Sequence, residues 1–172
     1  MEIHMPKLFA VYLGGTSAGC HIEQHDVRFV VGETIDDTFD ALRAEWIGQA
    51  KGLHLDAYME LTHVDGYAIT LQTEAPEQAQ RLYFVNLGGY DPERFTELHE
   101  VGFFVAENED VAKTKAKADL LSRAQQKHKD DLFDVDDCLA LDRVGGLNIR
   151  LTPSEVRKPL KPDWWGYRVI CK

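Results

Sequence analysis

The sequence predicts an α+β protein made of two tandem ββαββ repeats, packed as one compact unit about a pseudo-two-fold axis. Three observations carry that reading. Residues 8–36 align without a gap on residues 82–110 at an offset of 74, with 12 of 29 positions identical. Residues 52–71 then align on residues 132–151 at an offset of 80, matching Asp56, Leu61, Val64, Gly66, Ile69 and Leu71. Each copy also runs through the same order of apolar, glycine-rich and turn-forming segments. Unrelated sequence matches at roughly one position in sixteen, so the chain contains an internal duplication. The change of offset puts six extra residues in the second copy, between Asp110 and Leu132. Residues 6–76 are taken as the first repeat, 77–152 as the second and 153–172 as a C-terminal tail.

The elements follow in order. Residues 7–13 and 81–87 are short runs rich in aromatic and β-branched side chains, the composition of buried strands. Each ends in a double glycine, Gly14-Gly15 and Gly88-Gly89, which marks a bend or a close backbone approach. Residues 27–31 and 101–105 are the second strands. Asp36 and Asp110 are candidate N-caps for the helices that follow. On the first helix Phe39, Leu42, Trp46 and Ile47 form an apolar stripe. The second is expected from about 110 to 127, on a thinner stripe of Val111, Ala118, Leu121 and Ala124. Hairpins close the copies: residues 58–63 and 67–72 flank Val64-Asp65-Gly66, and residues 138–143 and 147–152 flank Val144-Gly145-Gly146. One helix and four strands form a marginal unit alone, so the copies are expected to share a core. In the tail, residues 158–162 are extended and basic, and residues 164–170 have strand-like composition, expected to cover an open face of the repeat pair.

Bulk properties narrow the function. Asp and Glu number 29 against 19 Lys and Arg, a formal net charge of −10. Such a chain repels phosphate backbones, which disfavours nucleic acid as a partner. The excess is uneven: residues 1–76 carry −8 and residues 77–172 carry −2. The basic residues of the second helix region, Lys113, Lys115, Lys117, Arg123 and Lys127 among them, therefore read as a salt-bridged soluble face. Three cysteines without a CxxC pair fit a reducing compartment and no disulfide framework. No apolar run approaches the roughly 20 residues needed to span a bilayer. The run 8–13 before Ser17-Ala18-Gly19-Cys20 looks like a short lipoprotein signal, but it recurs in mid-chain as residues 82–87, so it reads as structure. The expected location is the cytoplasm.

Chemistry concentrates in one repeated cluster. Glu23-x-His25 precedes the second strand of copy one, and Glu97-x-His99 occupies the same place in copy two. His54-x-Asp56 corresponds to Asp134-x-Asp136. Alternate residues on an extended segment share a face, so each pair presents two ligands together. The candidate ligand-binding residues are therefore Glu23, His25, His54 and Asp56, with Glu97, His99, Asp134 and Asp136. Imidazole with carboxylate is a donor set for zinc, manganese or non-haem iron. The alternative is structural: each retained histidine hydrogen-bonds backbone opened by the double glycine. The acidic segment 129–137 lacks an EF-hand loop pattern and reads as a solvated face. No phosphate-loop lysine and no nucleophile elbow appears.

Residues 8–15, 22–32 and 59–67, with 83–90 and 128–138, together resemble the bacterial domain of unknown function 1543. The likeness extends nearly to Leu151. It implies a bacterial origin and one or two copies per chain, and it brings no catalytic residues. Activity, cofactor and oligomeric state are thus unassigned by the sequence. The reading is a binding or interaction protein for an unknown small ligand or protein partner, with a metal-dependent enzyme as the alternative.

Overall fold

The computed structural model describes residues 5–120 and 133–171, and their side chains except those of 133–136. In copy one, β1 (Lys7–Gly15) and β2 (Gln24–Gly32) are followed by a 3-10 turn (Asp36–Thr38) and α1 (Phe39–Glu45). The copy ends with β3 (His54–Glu60), β4 (His63–Val64) and β5 (Tyr67–Gln72). Copy two repeats the order: β6 (Arg81–Gly89), β7 (Leu98–Ala106), α2 (Glu109–Asp119), β8 (Phe133–Leu141), β9 (Arg143–Val144) and β10 (Leu147–Pro153). The tail adds β11 (Trp164–Val169). No helix among the described residues is long and apolar enough to cross a membrane.

The strands form three antiparallel sheets. Copy one and the tail form a four-stranded sheet in the order β11-β3-β1-β2, and copy two a three-stranded sheet, β7-β6-β8. The third, β4-β5-β10-β9, is built from both copies. At its centre β5 pairs with β10, and Thr70 faces Arg150, its own counterpart in the repeat. Ile69 faces Leu151 and Leu71 faces Ile149, so the pairing is symmetric about that point. The pseudo-two-fold axis passes between Thr70 and Arg150.

Period-two alternation explains the layers. On β1, Phe9, Val11 and Leu13 face outward onto Leu42 and Trp46, while Leu8 and Ala10 face inward. On β6, Tyr83, Val85 and Leu87 pack against Ala112 and Ala116 of α2, while Leu82 and Phe84 face inward. The two inner faces meet in a shared core that also takes Leu61 and, from the third sheet, Val64, Ile69, Val144, Ile149 and Leu151. A duplicated unit with one common core is the outcome.

Several local expectations change. Strand β1 runs straight through Gly14-Gly15, so the double glycine is a close approach and no bend. The predicted pairing of 58–63 with 67–72 is broken at Leu61 and Thr62. β3 leaves to pair with β1, and only His63 and Val64 pair with β5. Burying Leu61 in the shared core explains the break: its N–H donates to the Leu8 carbonyl, and the Ile69 N–H donates to that of Thr62. The turns themselves are as expected, with Asp65 and Gly66 at φ 54° and 87° and Gly145 and Gly146 at 58° and 83°, the left-handed pair of a type I′ turn.

The caps also move. Asn108, not Asp110, caps α2, its Oδ1 accepting from the Val111 N–H at 3.0 Å. Asp36 opens the 3-10 turn without a side-chain cap, and Asp37 instead accepts from the Thr34 N–H and hydroxyl. Trp46 lies past α1 in extended backbone, and Ile47 is exposed. Ala112 and Ala116 form the buried stripe of α2, whereas Ala118 is exposed. Leu121 and Ala124 lie outside the described residues. The tail covers the sheet only in part. Trp164 stacks on Tyr58 and Ile170 is buried, but Trp165 and Tyr167 stay exposed.

Candidate functional site

The inner face of copy one ends in a cluster set by sheet register. Gly14 is paired with His25 on β2 and with His54 on β3. A bulge between Tyr12 and Leu13 on the β1–β3 ladder shifts β3 by one residue beside Asp56. Bulges re-aim side chains in this way. A Cβ on Gly14 would lie 2.5 Å from His54 Nε2 and 2.7 Å from Asp56 Oδ2, so only glycine leaves room for both. Gly15 does the same for the Trp46 ring, 2.8 Å from its own missing Cβ.

The four copy-one candidates come together as a closed ring of alternating imidazole and carboxylate. His25 Nε2 lies 3.6 Å from Glu23 Oε2 and 3.3 Å from Asp56 Oδ2. His54 Nε2 lies 3.3 Å from Glu23 Oε1 and 3.3 Å from Asp56 Oδ1. His54 is 1% exposed. Its Nδ1 sits 2.7 Å from the Gly52 carbonyl, which can only accept, so Nδ1 carries the proton and Nε2 turns towards the carboxylates. Asp56 Oδ2 is buried without a hydrogen-bond donor. The expected bond from His25 to backbone near the double glycine is replaced by these carboxylate contacts. As the side chains stand, no three of His, Cys, Asp or Glu among the described residues are grouped to hold a metal ion.

Two tyrosines flank the ring, and neither was singled out from the sequence. Tyr12 stacks on His25 at 5.2 Å and 10°, and Tyr167 of β11 lies over His54 at 4.1 Å. Burial, and secondarily the negative charge of Asp56, push the Tyr12 phenol above its ordinary value. A signal for Tyr12 existed: it sits two residues before Gly14 on an alternating strand, hence on the same face.

Copy two presents the matching frame. Gly88 is paired with His99 and with Asp134, and His99 Nε2 lies 3.4 Å from Glu97 Oε2. The backbones of Asp134 and Asp136 belong to β8, and their side chains lie outside the described residues. Between the copies lies a cleft of about 350 Å³, lined by Tyr12, His25 and Val27 from one side and by Phe84, Asn86, His99, Val101 and Asp137 from the other. Asn86 is the counterpart of Tyr12, and its Oδ1 is buried without a donor. A more apolar recess of about 290 Å³ adjoins it, sharing Tyr12, Phe84 and His99 and reaching Met59 and Phe103.

Comparison with known proteins places this frame in a family. The model of the Domain of Unknown Function (DUF1543) matches twice, over residues 20–71 and 94–144. The chain belongs to the DUF1543 family. Both matches span the repeated Glu-x-His segment or its strand, and they report the duplication independently of the self-alignment. A solved structure, the crystal structure of a protein Il1583 from Idiomarina loihiensis, is similar at 39% identity with a TM-score of 0.77. The likeness covers 96% of this chain and 97% of that one, so the two share their fold over nearly their whole length. No curated protein matches the chain.

Proposed function

We propose that this DUF1543 chain is a binding protein for a small polar ligand, held in the cleft between the copies and anchored on the copy-one ring. The observation that supports it most is the shared cleft: His25 and His99, counterparts in the duplication, line one space together with the unsatisfied Asn86 carbonyl. A concave site with an apolar wall and a few convergent polar groups is the usual form of a small-ligand site. The proposal takes residues 6–76 and 77–152 as the cooperating copies and 153–172 as the segment that covers one of them. The three free cysteines favour a reducing, cytoplasmic setting for it.

The test is histidine-observed NMR of the full chain, screened against small amines, carboxylates and phosphate esters. Ligands of the cleft are expected to shift the His25 and His99 ring signals together. Val101→Trp, which fills the cleft from a position 43% exposed, is expected to abolish those shifts. Ligands that bind equally well to Val101→Trp, or none that touch either histidine, would end the proposal.

A further inference from the structure

We infer that the copy-one ring takes one divalent transition-metal ion, of the zinc, cobalt or manganese class, through His25, His54, Glu23 and Asp56. The inference deepens the small-ligand reading by giving the anchor of that site its chemistry. It starts from the hydrogen positions. His54 Nδ1 donates to the Gly52 carbonyl, so Nε2 is the ring nitrogen aimed at the two carboxylates. Four carboxylate oxygens thus crowd two imidazole nitrogens, and Asp56 Oδ2 is buried with no hydrogen-bond partner. A cation among them would satisfy both carboxylates and both ring nitrogens.

The spacing points to a metal as that centre. Charge-assisted N–H···O contacts close to roughly 2.7–2.9 Å, whereas the ring distances are 3.3, 3.3, 3.3 and 3.6 Å. Donor atoms about 2.0–2.1 Å from a tetrahedral zinc lie roughly 3.3–3.4 Å from one another. The His54–Gly52 contact is the outer-shell bond that fixes the tautomer of a ligating histidine. What separates the ring from a formed centre is convergence, because each carboxylate gives one oxygen to each imidazole. The side chains of Glu23 and His25 are 40% and 36% exposed, so both are free to turn inward, while His54 and Gly14 provide the fixed wall.

The experiment uses the full chain stripped with a chelator and titrated with zinc, then with cobalt for its visible spectrum. One equivalent of zinc is expected to bind, with cobalt giving the intense absorption of a four-coordinate site. His25→Ala and Glu23→Gln, both at partly exposed positions, should weaken zinc binding roughly tenfold or more, the scale on which even an outer-shell partner acts. His99→Ala should leave it unchanged. Affinity should weaken as the pH is lowered, since the ligands bind metal deprotonated. No stoichiometric binding, or binding that survives His25→Ala, overturns the metal while leaving the cleft proposal intact if organic ligands still shift His25 and His99. Equal loss in His99→Ala overturns the assignment to copy one.

Discussion

The ends of β1 and β6 are the same place in the repeat, yet they carry different chemistry. Around Gly14 stand two histidines and two carboxylates, stacked by Tyr12 and Tyr167 and walled by β11. Around Gly88 the register places His99 and Asp134, with Asn86 where Tyr12 would be, and no described strand on the outer side of β8. The backbone frame is common to both, so the frame alone does not create the site. His54 where copy two has Asp134, and a strand added beside β3, set copy one apart. Duplication supplied a symmetric scaffold, and the tail broke the symmetry by closing over copy one.

The sharpest way to break this comparison is at the paired glycines. Gly14→Ala would drive a methyl into His54 Nε2 and Asp56 Oδ2, and His54 is too buried to withdraw. Overpacking of this kind typically costs about 1–3 kcal/mol. Urea denaturation should show that loss for Gly14→Ala, together with displaced His25 and His54 NMR signals. Gly88→Ala, opposite the shorter Asp134 in the same register, should lose less. Equal losses would mean that the glycines serve the strand and not the cluster.

A second difference lies in how the copies grip each other. The turn of each hairpin arm sits on the other copy's second strand. Asp65 of copy one accepts from the Val105 N–H at 3.1 Å and from Lys115 Nζ at 2.7 Å, and Lys115 also donates to the Val105 carbonyl. Its counterpart Gly145 rests on Val31, where a Cβ would come within 3.0 Å of the Val31 Cβ. One arm is therefore tied by hydrogen bonds and the other by van der Waals fit. Asp65→Ala removes two bonds and puts alanine at a φ of 54°, for an expected loss of about 1–3 kcal/mol. Asp65→Gly keeps the turn and removes only the bonds, so it should fall between wild type and Asp65→Ala in thermal melts. If Asp65→Gly matches wild type, the tie to Val105 and Lys115 contributes nothing.

Legibility in the sequence divides along physical lines. The duplication, the order of elements and both turns were readable because they depend on local rules: alternation, turn residues and self-similarity. The copy-one ring was readable as a list, since Glu23-x-His25 and His54-x-Asp56 both stand in extended segments. Its closure was not, because it depends on β3 leaving the expected hairpin to pair with β1, a choice made by burial of Leu61 in the shared core. The asymmetry between the copies was also hidden. Tyr167 is 113 positions from His54 in the chain, and only the pairing of β11 with β3 brings them together. Local cap chemistry misled at Asp110, where Asn108 two residues earlier had the better geometry for the Val111 N–H.

The smallest expected effect separates the copies by titration. In copy one, burial and then Asp56 raise the Tyr12 phenol above 10.0, favouring its neutral form in the folded state. In copy two, burial and then Glu109 raise the Cys138 thiol above 9.0. A group held more tightly protonated when folded contributes stability that is complete below its unfolded value and is lost as pH rises through the folded one. Both limbs are therefore alkaline, and they differ in onset, with Cys138 losing its contribution from about pH 9 and Tyr12 from about pH 10. Tyr12→Phe keeps a ring to stack on His25 and removes the ionisable proton. Thermal melts across the alkaline range should show the decline above about pH 10 softened in Tyr12→Phe, and the earlier part softened in Cys138→Ala. Asn86 has nothing to titrate at the Tyr12 position, so the Tyr12 contribution has no counterpart at that place in copy two. If Tyr12→Phe leaves the alkaline decline unchanged, the phenol gains nothing from its place beside Asp56, and the polarity of the ring would have to be felt by the histidines alone.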